Sequence, residues 1–506
     1  TTFTVRLVLP AEALIGLDGM AVEEMVEQVA ATLEPLGWRD LRVEALDPAT
    51  HEFRSLADFL PPLPAPRKEM VLSGEERPAV SPLAVLPSPL RGGAGGEVAG
   101  ALSGKTVYVS AGHGWQWNGY AWRTQRPPYP NPPYDRGPII EDHNNAEAVN
   151  QYLLQYLRNA GAQVITARER DMNGAGVVVD NDDPGPGTGY SETGAWTTAT
   201  ITGTGYAGTG YRYVTTVVGT PTATIVWTAT LPADGRYAVY AWYRQVYTHT
   251  PDAHYTVHHA GGATEVIINQ QIHGNTWRYI GTYGFRGGEE ARVVLTNQSA
   301  ATGYVVIADA VRFGGGTFDD LTGIETAATY PPDKPWWEVA AYYYVQWMGM
   351  DQPPGDVTAR PIYARWEHAG TGEDAVYVSW HTNGRSGYQW VVNGTVSFIH
   401  SGEGKPVTEG SAALRDAVHN ELMHDIRAGW DAGWVDLGER SRNLGELREL
   451  WDDVPTVRMP GTLVELAYHD HPTDTDALKE PRFNQLAARA FYQGIVKYFE
   501  QRDGLD

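Results

Sequence analysis

The spacing of apolar positions divides the chain into stretches of different period. Thr2 to Leu9 alternates and predicts a strand, Ala21 to Leu36 has helical spacing stopped by Gly37, and Leu41 to Leu46 predicts a second strand. Together these predict a small α+β unit over residues 1–60. From Pro61 to Gly96 the pattern dissolves into proline and glycine (PPLPAPRKE, then SPLAVLPSPLRGGAGG). Such a composition cannot bury a core, and residues 61–103 read as a linker.

Periodicity returns at Lys105. KTVYVSAGHG predicts a buried strand that ends in a glycine-flanked histidine. Glu141 to Ala160 is amphipathic, with Ala148, Tyr152, Leu153, Tyr156 and Leu157 on one face and Gly161 as the stop. AQVITARERD supplies the next strand, and this β-loop-α-β order opens an α/β sheet. From about Val177 to Phe313 the period becomes two. Runs such as YAVYAWYRQ, AHYTVHH, TEVIINQ, WRYIGTY and ARVVLTN, separated by turns, predict an all-β sandwich. After Gly316 helical spacing resumes, followed by the strand AVYVSW before His381, a helix from Ser411 to Ala428, the strand GTLVELAY and a helix from Arg482 to Phe499. The expected fold is an α/β domain with a mostly parallel or mixed sheet flanked by helices. It occupies residues 104–176 and 317–506 and is interrupted by a sandwich at 177–316. Chain order predicts that this insertion hangs from a sheet edge or the rim of the active site.

Composition narrows the chemistry. A length of 506 residues implies two to four domains. No apolar run is long enough to span a bilayer, and a formal net charge of −23 argues against nucleic acid and anionic lipid as partners. The chain opens at Thr1 without a basic-then-apolar leader, which decides nothing if one is removed upstream. With no cysteine, any metal must be held by His, Asp or Glu. The compartment is left open.

Three polar residues stand at strand ends or a helix start: His113 after VYVSAG, Glu141 opening its helix, and His381 after AVYVSW. Beyond the carboxyl ends of α/β strands is where ligand sites gather. Two histidines and a carboxylate form a common catalytic zinc set that leaves a position for water. Glu465, inside the apolar strand TLVELAY, is costly to bury and is expected to face a functional cavity. With 15 histidines in the chain, a hydrogen-bonded structural role is the commoner reading for any single one.

The order of these residues and their surroundings resembles the zinc amidases called type 3 N-acetylmuramoyl-L-alanine amidases. The matching segments are SAGHG with His113, Glu141-Asp-His-Asn-Asn145, VITARERD with Ala167 before Arg168 and Asp171, and Arg360 with Ala364. They continue in Ser379-Trp380-His381-Thr382-Asn383, Leu463-Val-Glu465-Leu466 and Pro472-Thr-Asp474. The resemblance covers about Lys105 to Asp171 and Thr317 to Phe499. It implies His113, Glu141 and His381 as zinc ligands and Glu465 as general base or acid. The implied reaction cleaves the amide between N-acetylmuramic acid and L-alanine of peptidoglycan, in an extracellular or cell-envelope enzyme. Departures are Ser110 and Ala111, where the family has aspartate and proline, and Trp380, where a small aliphatic residue is usual and a packing change is expected. Trp115, Trp117, Tyr120 and Trp122 after His113 read evenly as a sugar-stacking platform or a self-packed shield. His143 is the nearest rival to Glu141 as a ligand. His469 and His471, just beyond Glu465, read either as residues supporting the ligands or as surface histidines, and the surface is the expected placement.

The intervening region resembles golvesin-type domains, on DNDDPGPGTGYSETGAW, GRYAVYAWY, GGATEVIINQ, WRYIGTYGF and VIADAVRF. Tyr240, Trp242, Tyr243 and Trp277 are candidate glycan contacts, although strand alternation sends about half of such residues into a core. The acidic run Asp180 to Asp183 reads as a turn before it reads as a calcium site. Two other functions stay open: a zinc hydrolase of another cell-wall amide or peptide bond, and a non-catalytic cell-surface glycan-binding protein. Oligomeric state is not legible.

Overall fold

The computed structural model describes residues 2–11, 14, 29, 40–55, 59, 100–117, 122–124, 139–168, 175–182, 188–199, 205–206, 210–314, 341–350, 355–384, 392–402 and 405–505. Near the start, β1 (Thr2–Leu7) pairs in parallel with β2 (Asp40–Leu46), which pairs antiparallel with β3 (Phe53–Ser55). The helix predicted at Ala21 to Leu36 and nearly all of the predicted linker lie outside the described residues.

A six-stranded mixed sheet is built from two distant parts of the chain. The first part supplies β4 (Lys105–Ala111) and β7 (Gln163–Thr166), with a small hairpin, β5 (Trp115–Trp117) and β6 (Trp122–Thr124), between them. The second part supplies β20 (Asp374–Asn383), β21 (Thr395–His400), β22 (Asp436–Arg442) and β23 (Gly461–Tyr468). The strand order is β22-β21-β23-β20-β4-β7, parallel except where β21 meets β23. Side-chain alternation sorts this sheet into two faces. Val107, Val109, Val376, Val378, Trp380, Val464 and Leu466 face a core shared with three helical segments. These are α1 (Glu141–Ala148) with its continuation α2 (Leu154–Asn159), α5 (Ser411–Gly429) and α8 (Pro481–Asp503). A wider π-type turn, Val149–Leu153, joins α1 to α2. Tyr108, Tyr377 and Leu463 face the opposite core, under α3 (Ala341–Trp347), α4 (Asp356–His368) and α6 (Gly445–Arg448). A short α7 (Pro472–Leu478) follows β23.

Between β7 and β20 the described residues form the twelve strands β8 to β19. They are β8 (Gly176–Val179), β9 (Thr188–Thr193), β10 (Thr197–Thr198), β11 (Arg212–Thr215), β12 (Thr224–Thr230) and β13 (Gly235–Trp242), then β14 (Ala253–His259), β15 (Gly262–Ile268), β16 (Trp277–Phe285), β17 (Glu290–Thr296), β18 (Val305–Ala308) and β19 (Ala310–Gly314). Sheets of order β15-β14-β17-β12-β9 and β16-β13-β19-β8 enclose a core that includes Trp227, Val239, Tyr255, Ile280 and Val293, and β10-β11-β18 forms a third, smaller sheet. The first and last strands, β8 and β19, pair antiparallel, with Gly176 opposite Gly314.

The sandwich's described contacts with the α/β domain lie where β20 begins and α2 ends. His273 is wedged between Glu367 and Glu373, its Nδ1 2.8 Å from one carboxylate and its Nε2 2.7 Å from the other. Arg278 lies 3.8 Å from Glu367 and Arg158 donates to the Ile280 carbonyl at 3.0 Å. Arg158 is seventeen helical residues beyond Glu141, about 25 Å along the axis at 1.5 Å per residue. Buried charge complementarity holds this docking, and the residues that make it, His273 with Glu367 and Glu373, are not singled out by chain order.

Candidate functional site

The site forms where β4, β20 and β23 end, beside the start of α1. Gly112, just past β4, donates its N–H to the Trp380 carbonyl at 2.9 Å, which ties the loop to the neighbouring strand. A Cβ on Gly112 would overlap the His381 imidazole, so only glycine lets that ring pack here. The turn continues with His113 at φ 61° and Gly114 at φ 140°. A histidine in the left-handed region is strained, and such strain gathers at functional sites. Arg168 pins the bend from behind, donating through Nη1 to the carbonyls of Gly112 at 2.9 Å and of Asp142 at 3.2 Å. Asp142 accepts the Gly114 N–H at 2.8 Å.

Glu141 is buried at the first position of α1. Its Oε1 lies 3.2 Å from His381 Nδ1 and 3.5 Å from His113 Nε2, and it accepts from Asn145 Nδ2 and from the Thr382 N–H, each at 3.2 Å. The two imidazoles meet edge to face, with ring centroids 4.9 Å apart. One ligand atom each from His113, Glu141 and His381 can be chosen so that all lie within 4.8 Å of one another, and all three residues are buried. His143, on the same turn of helix, is not part of this group. The other converging set among the described residues, Glu421, His424 and Asp425 on α5, is neutralised by Lys497 and Arg489.

Glu465 is the register partner of His381 on the adjacent parallel strand, so the two side chains project from the same face. Burial works against charge on the Glu141 carboxyl, yet His113, His381 and His469 hold it below the usual carboxylate range. His381 is pushed up to about 10. Burial opposes that rise, and it is outweighed by Glu446, Glu141 and Glu465. Three carboxylates around two imidazoles make a pocket that attracts a cation. Two nitrogens and one carboxylate oxygen, converging and buried, suit the zinc donor set.

Glu446 was not singled out in the sequence. It lies on α6, almost fully buried, and receives five donors. Ser110, Tyr377 and Ser379 hydroxyls reach its Oε1 at 2.7, 2.7 and 2.6 Å. His381 Nε2 and Arg360 Nη2 meet its Oε2 at 3.0 and 2.9 Å. The Ser110 departure therefore leaves a hydroxyl that hydrogen-bonds a carboxylate brought from elsewhere. The Trp380 departure is a packing change, its ring stacked on Phe491 with centroids 5.6 Å apart.

The surface placement expected for His469 and His471 is wrong. His469 is buried, with Nδ1 3.0 Å from the Thr382 hydroxyl, and a Cβ on Gly384 would overlap its ring. His471 is mostly covered, and burial pushes its imidazole down to about 4. Both follow β23 into a turn held by Asp474, which accepts the N–H groups of Tyr468 and Gly394 at 2.8 Å each. Trp115, Trp117 and Trp122 lie on the β5–β6 hairpin, while Tyr120 lies outside the described residues. In the sandwich, Tyr240, Tyr243 and Trp277 are buried, and Arg312 stacks 4.1 Å from the Tyr240 ring centroid, so these aromatic residues pack internally. Trp242 is half-buried near Tyr206. The described part of the acidic run forms a turn in which the Asp182 N–H meets Asp180 Oδ1 at 2.8 Å, and among the described residues it joins no group of three converging donors. Asp183 lies outside them.

Residues 350–497 match the family profile described as N-acetylmuramoyl-L-alanine amidase, and residues 177–315 match the Golvesin C-terminal domain. A xanthan lyase of Bacillus sp. (strain GL1) is 35% identical over 139 residues, covering 27% of this chain and 14% of that protein. An uncharacterized cell wall amidase of Bacillus anthracis is 29% identical over 150 residues, covering 29% and 25%. The germination-specific N-acetylmuramoyl-L-alanine amidase of Bacillus subtilis (strain 168) is 22% identical over 130 residues, covering 26% and 47%. The chain thus spans less than half the length of each of these relatives. Both resemblances read from the sequence are borne out: an amidase-family domain and a golvesin-type domain occur in one chain. His381 and Glu465 fall inside the amidase match, whereas His113 and Glu141 lie more than two hundred residues before it.

Proposed function

We propose that this chain is a zinc-dependent N-acetylmuramoyl-L-alanine amidase acting on peptidoglycan at the cell envelope or outside the cell. One observation carries the reading. His113 and Glu141, from outside the stretch that matches the amidase family, converge on His381 from inside it. Glu465 stands beside His381 on the next strand.

His113, Glu141 and His381 would hold the zinc. When bound, zinc supplies Lewis-acid polarisation of the scissile carbonyl and lowers the pKa of water towards about 7. The remaining work falls to the protein. Glu465 takes the proton of the attacking water as oxygen adds to the lactyl carbonyl carbon. It returns that proton to the L-alanine nitrogen as the C–N bond breaks, leaving a lactyl carboxylic acid, which keeps the second water proton, and a free amine. Asn145 and the Thr382 N–H orient the Glu141 carboxylate towards the two imidazoles.

The test is release of stem peptides with a new L-alanine amino terminus from purified peptidoglycan. It is run with zinc, with chelator, and with Glu465→Ala. The reading requires zinc-dependent release that Glu465→Ala abolishes. A zinc-loaded chain that releases nothing would redirect the search to other cell-wall amides, and a chain that binds no zinc would favour a glycan-binding protein.

A further inference from the structure

We infer that Glu446 is the positioning residue of the site: by accepting from His381 Nε2 it holds Nδ1 of that ring towards His113 and Glu141. The inference rests on the zinc reading above and concerns how the apoprotein prepares for the ion. The carboxylate is anchored on every side. Its Oε1 takes three hydroxyl donors from two neighbouring strands, Ser110 on β4 and Tyr377 and Ser379 on β20. Its Oε2 takes His381 and Arg360, and Arg360 is itself 3.3 Å from Asp356 one helical turn away.

So held, the carboxylate cannot turn to solvent or to another partner, and the ring it contacts has one favourable orientation. Flipping His381 would set ring carbons against both Glu141 Oε1 and Glu446 Oε2, and would leave a buried acceptor short of one donor. A histidine that gives its far N–H to a carboxylate presents the other nitrogen to a metal with fixed tautomer and raised basicity. Glu446 touches neither substrate nor the reacting atoms. The competing explanation is that Glu446 merely balances the buried Arg360 charge.

The experiment measures zinc affinity of the full chain by competition with a chromophoric chelator, alongside the visible spectrum of the cobalt-loaded protein. Thermal unfolding in chelator reports the fold separately. Glu446→Gln is expected to weaken zinc binding about 10- to 100-fold and to shift the cobalt bands. Because that change leaves Arg360 with one carboxylate partner, Asp356, instead of two, the double variant Glu446→Gln/Arg360→Met removes the buried cation as well. If Glu446 positions His381, the double variant still binds zinc about 10- to 100-fold more weakly. Wild-type affinity in the double variant would overturn the inference in favour of charge balance. Histidine nitrogen shifts of the wild-type protein answer independently of any variant. With zinc, His381 is expected to show a metal-bound Nδ1 and a protonated Nε2, and an Nε2-bound His381 overturns the inference. A wild-type chain that takes up no zinc overturns the zinc reading, and this inference with it.

Discussion

Two histidines in this molecule are bracketed in almost the same way. His381 has Glu141 at Nδ1, Glu446 at Nε2 and Arg360 behind the second carboxylate. His273 has Glu367 at Nδ1, Glu373 at Nε2 and Arg278 beside the first carboxylate. Both rings are buried. Only the first belongs to a converging metal set, because His113 arrives from a strained turn and points its Nε2 at the shared Glu141 oxygen. Around His273 the cluster continues to His368, 3.1 Å from Glu373, and to the Tyr108 ring and Arg278, but among the described residues no three of its donors converge as they do at His381. The residue types do not separate a candidate metal site from a structural clasp. The third donor and its direction do.

That contrast can be broken from either side. The largest effect is expected at Glu465, where alanine should lower peptidoglycan turnover by about 10²- to 10⁴-fold with zinc content unchanged. Loss of zinc in that variant would make Glu465 a ligand and enlarge the metal set. Next comes the clasp. His273→Ala removes the ring shared by Glu367 and Glu373, leaving the first to Tyr363 and Arg278 and the second to Thr106, Tyr108 and His368. It should cost about 1–3 kcal/mol of stability, read by denaturant unfolding, while zinc affinity holds. A drop in zinc affinity would show that the two clusters are coupled through the sheet.

Gly112→Ala pushes a methyl group into the His381 ring and should cost about 1–3 kcal/mol as overpacking. Zinc binding should weaken with it, in contrast to His273→Ala. The smallest effect concerns a buried carboxylate with acidic rather than cationic neighbours. Asp309 is pushed up to about 8 by burial, against the Tyr206 N–H that it accepts and with Asp180 and Asp182 adding to the rise. A folded-state value above the unfolded one means that the folded chain holds the extra proton. Its stabilising contribution is therefore full below about pH 4 and is lost as pH rises towards 8. Thermal unfolding of the sandwich should weaken by close to 1 kcal/mol per pH unit between about pH 6 and 7.5, and Asp309→Asn should flatten that slope.

Much of the α/β core was legible because its strands are continuous apolar runs: GTLVELAY is β23 residue for residue, and the helix expected from Glu141 ends within one residue of Asn159. The three metal candidates were legible as types at strand and helix ends, but their convergence depends on a turn at His113 that no periodicity reports. β22, DLGERSR, carries little apolar patterning and gave no strand signal. Glu446 was invisible for a related reason. In LGELREL a glutamate reads as solvated, and its burial is set by Arg360, which meets it from another helix. His469 was misjudged because histidines beyond a strand end look exposed until the turn at Asp474 folds them inward.

The pairing of Gly176 with Gly314 has a consequence for how such a chain folds at all. Bringing β7 and β20 into one sheet requires closing a very long loop, and the entropy of closure grows with the logarithm of loop length. Because the sandwich leaves and rejoins at two residues held side by side, its own folding removes that whole excursion from the loop that remains. The α/β half then experiences a shorter connection. A β-sandwich with adjacent termini is therefore a tolerable insertion kinetically as well as sterically, provided it folds first. By the same reasoning, another self-folding domain with neighbouring ends could replace it, at the cost of the buried clasp at His273.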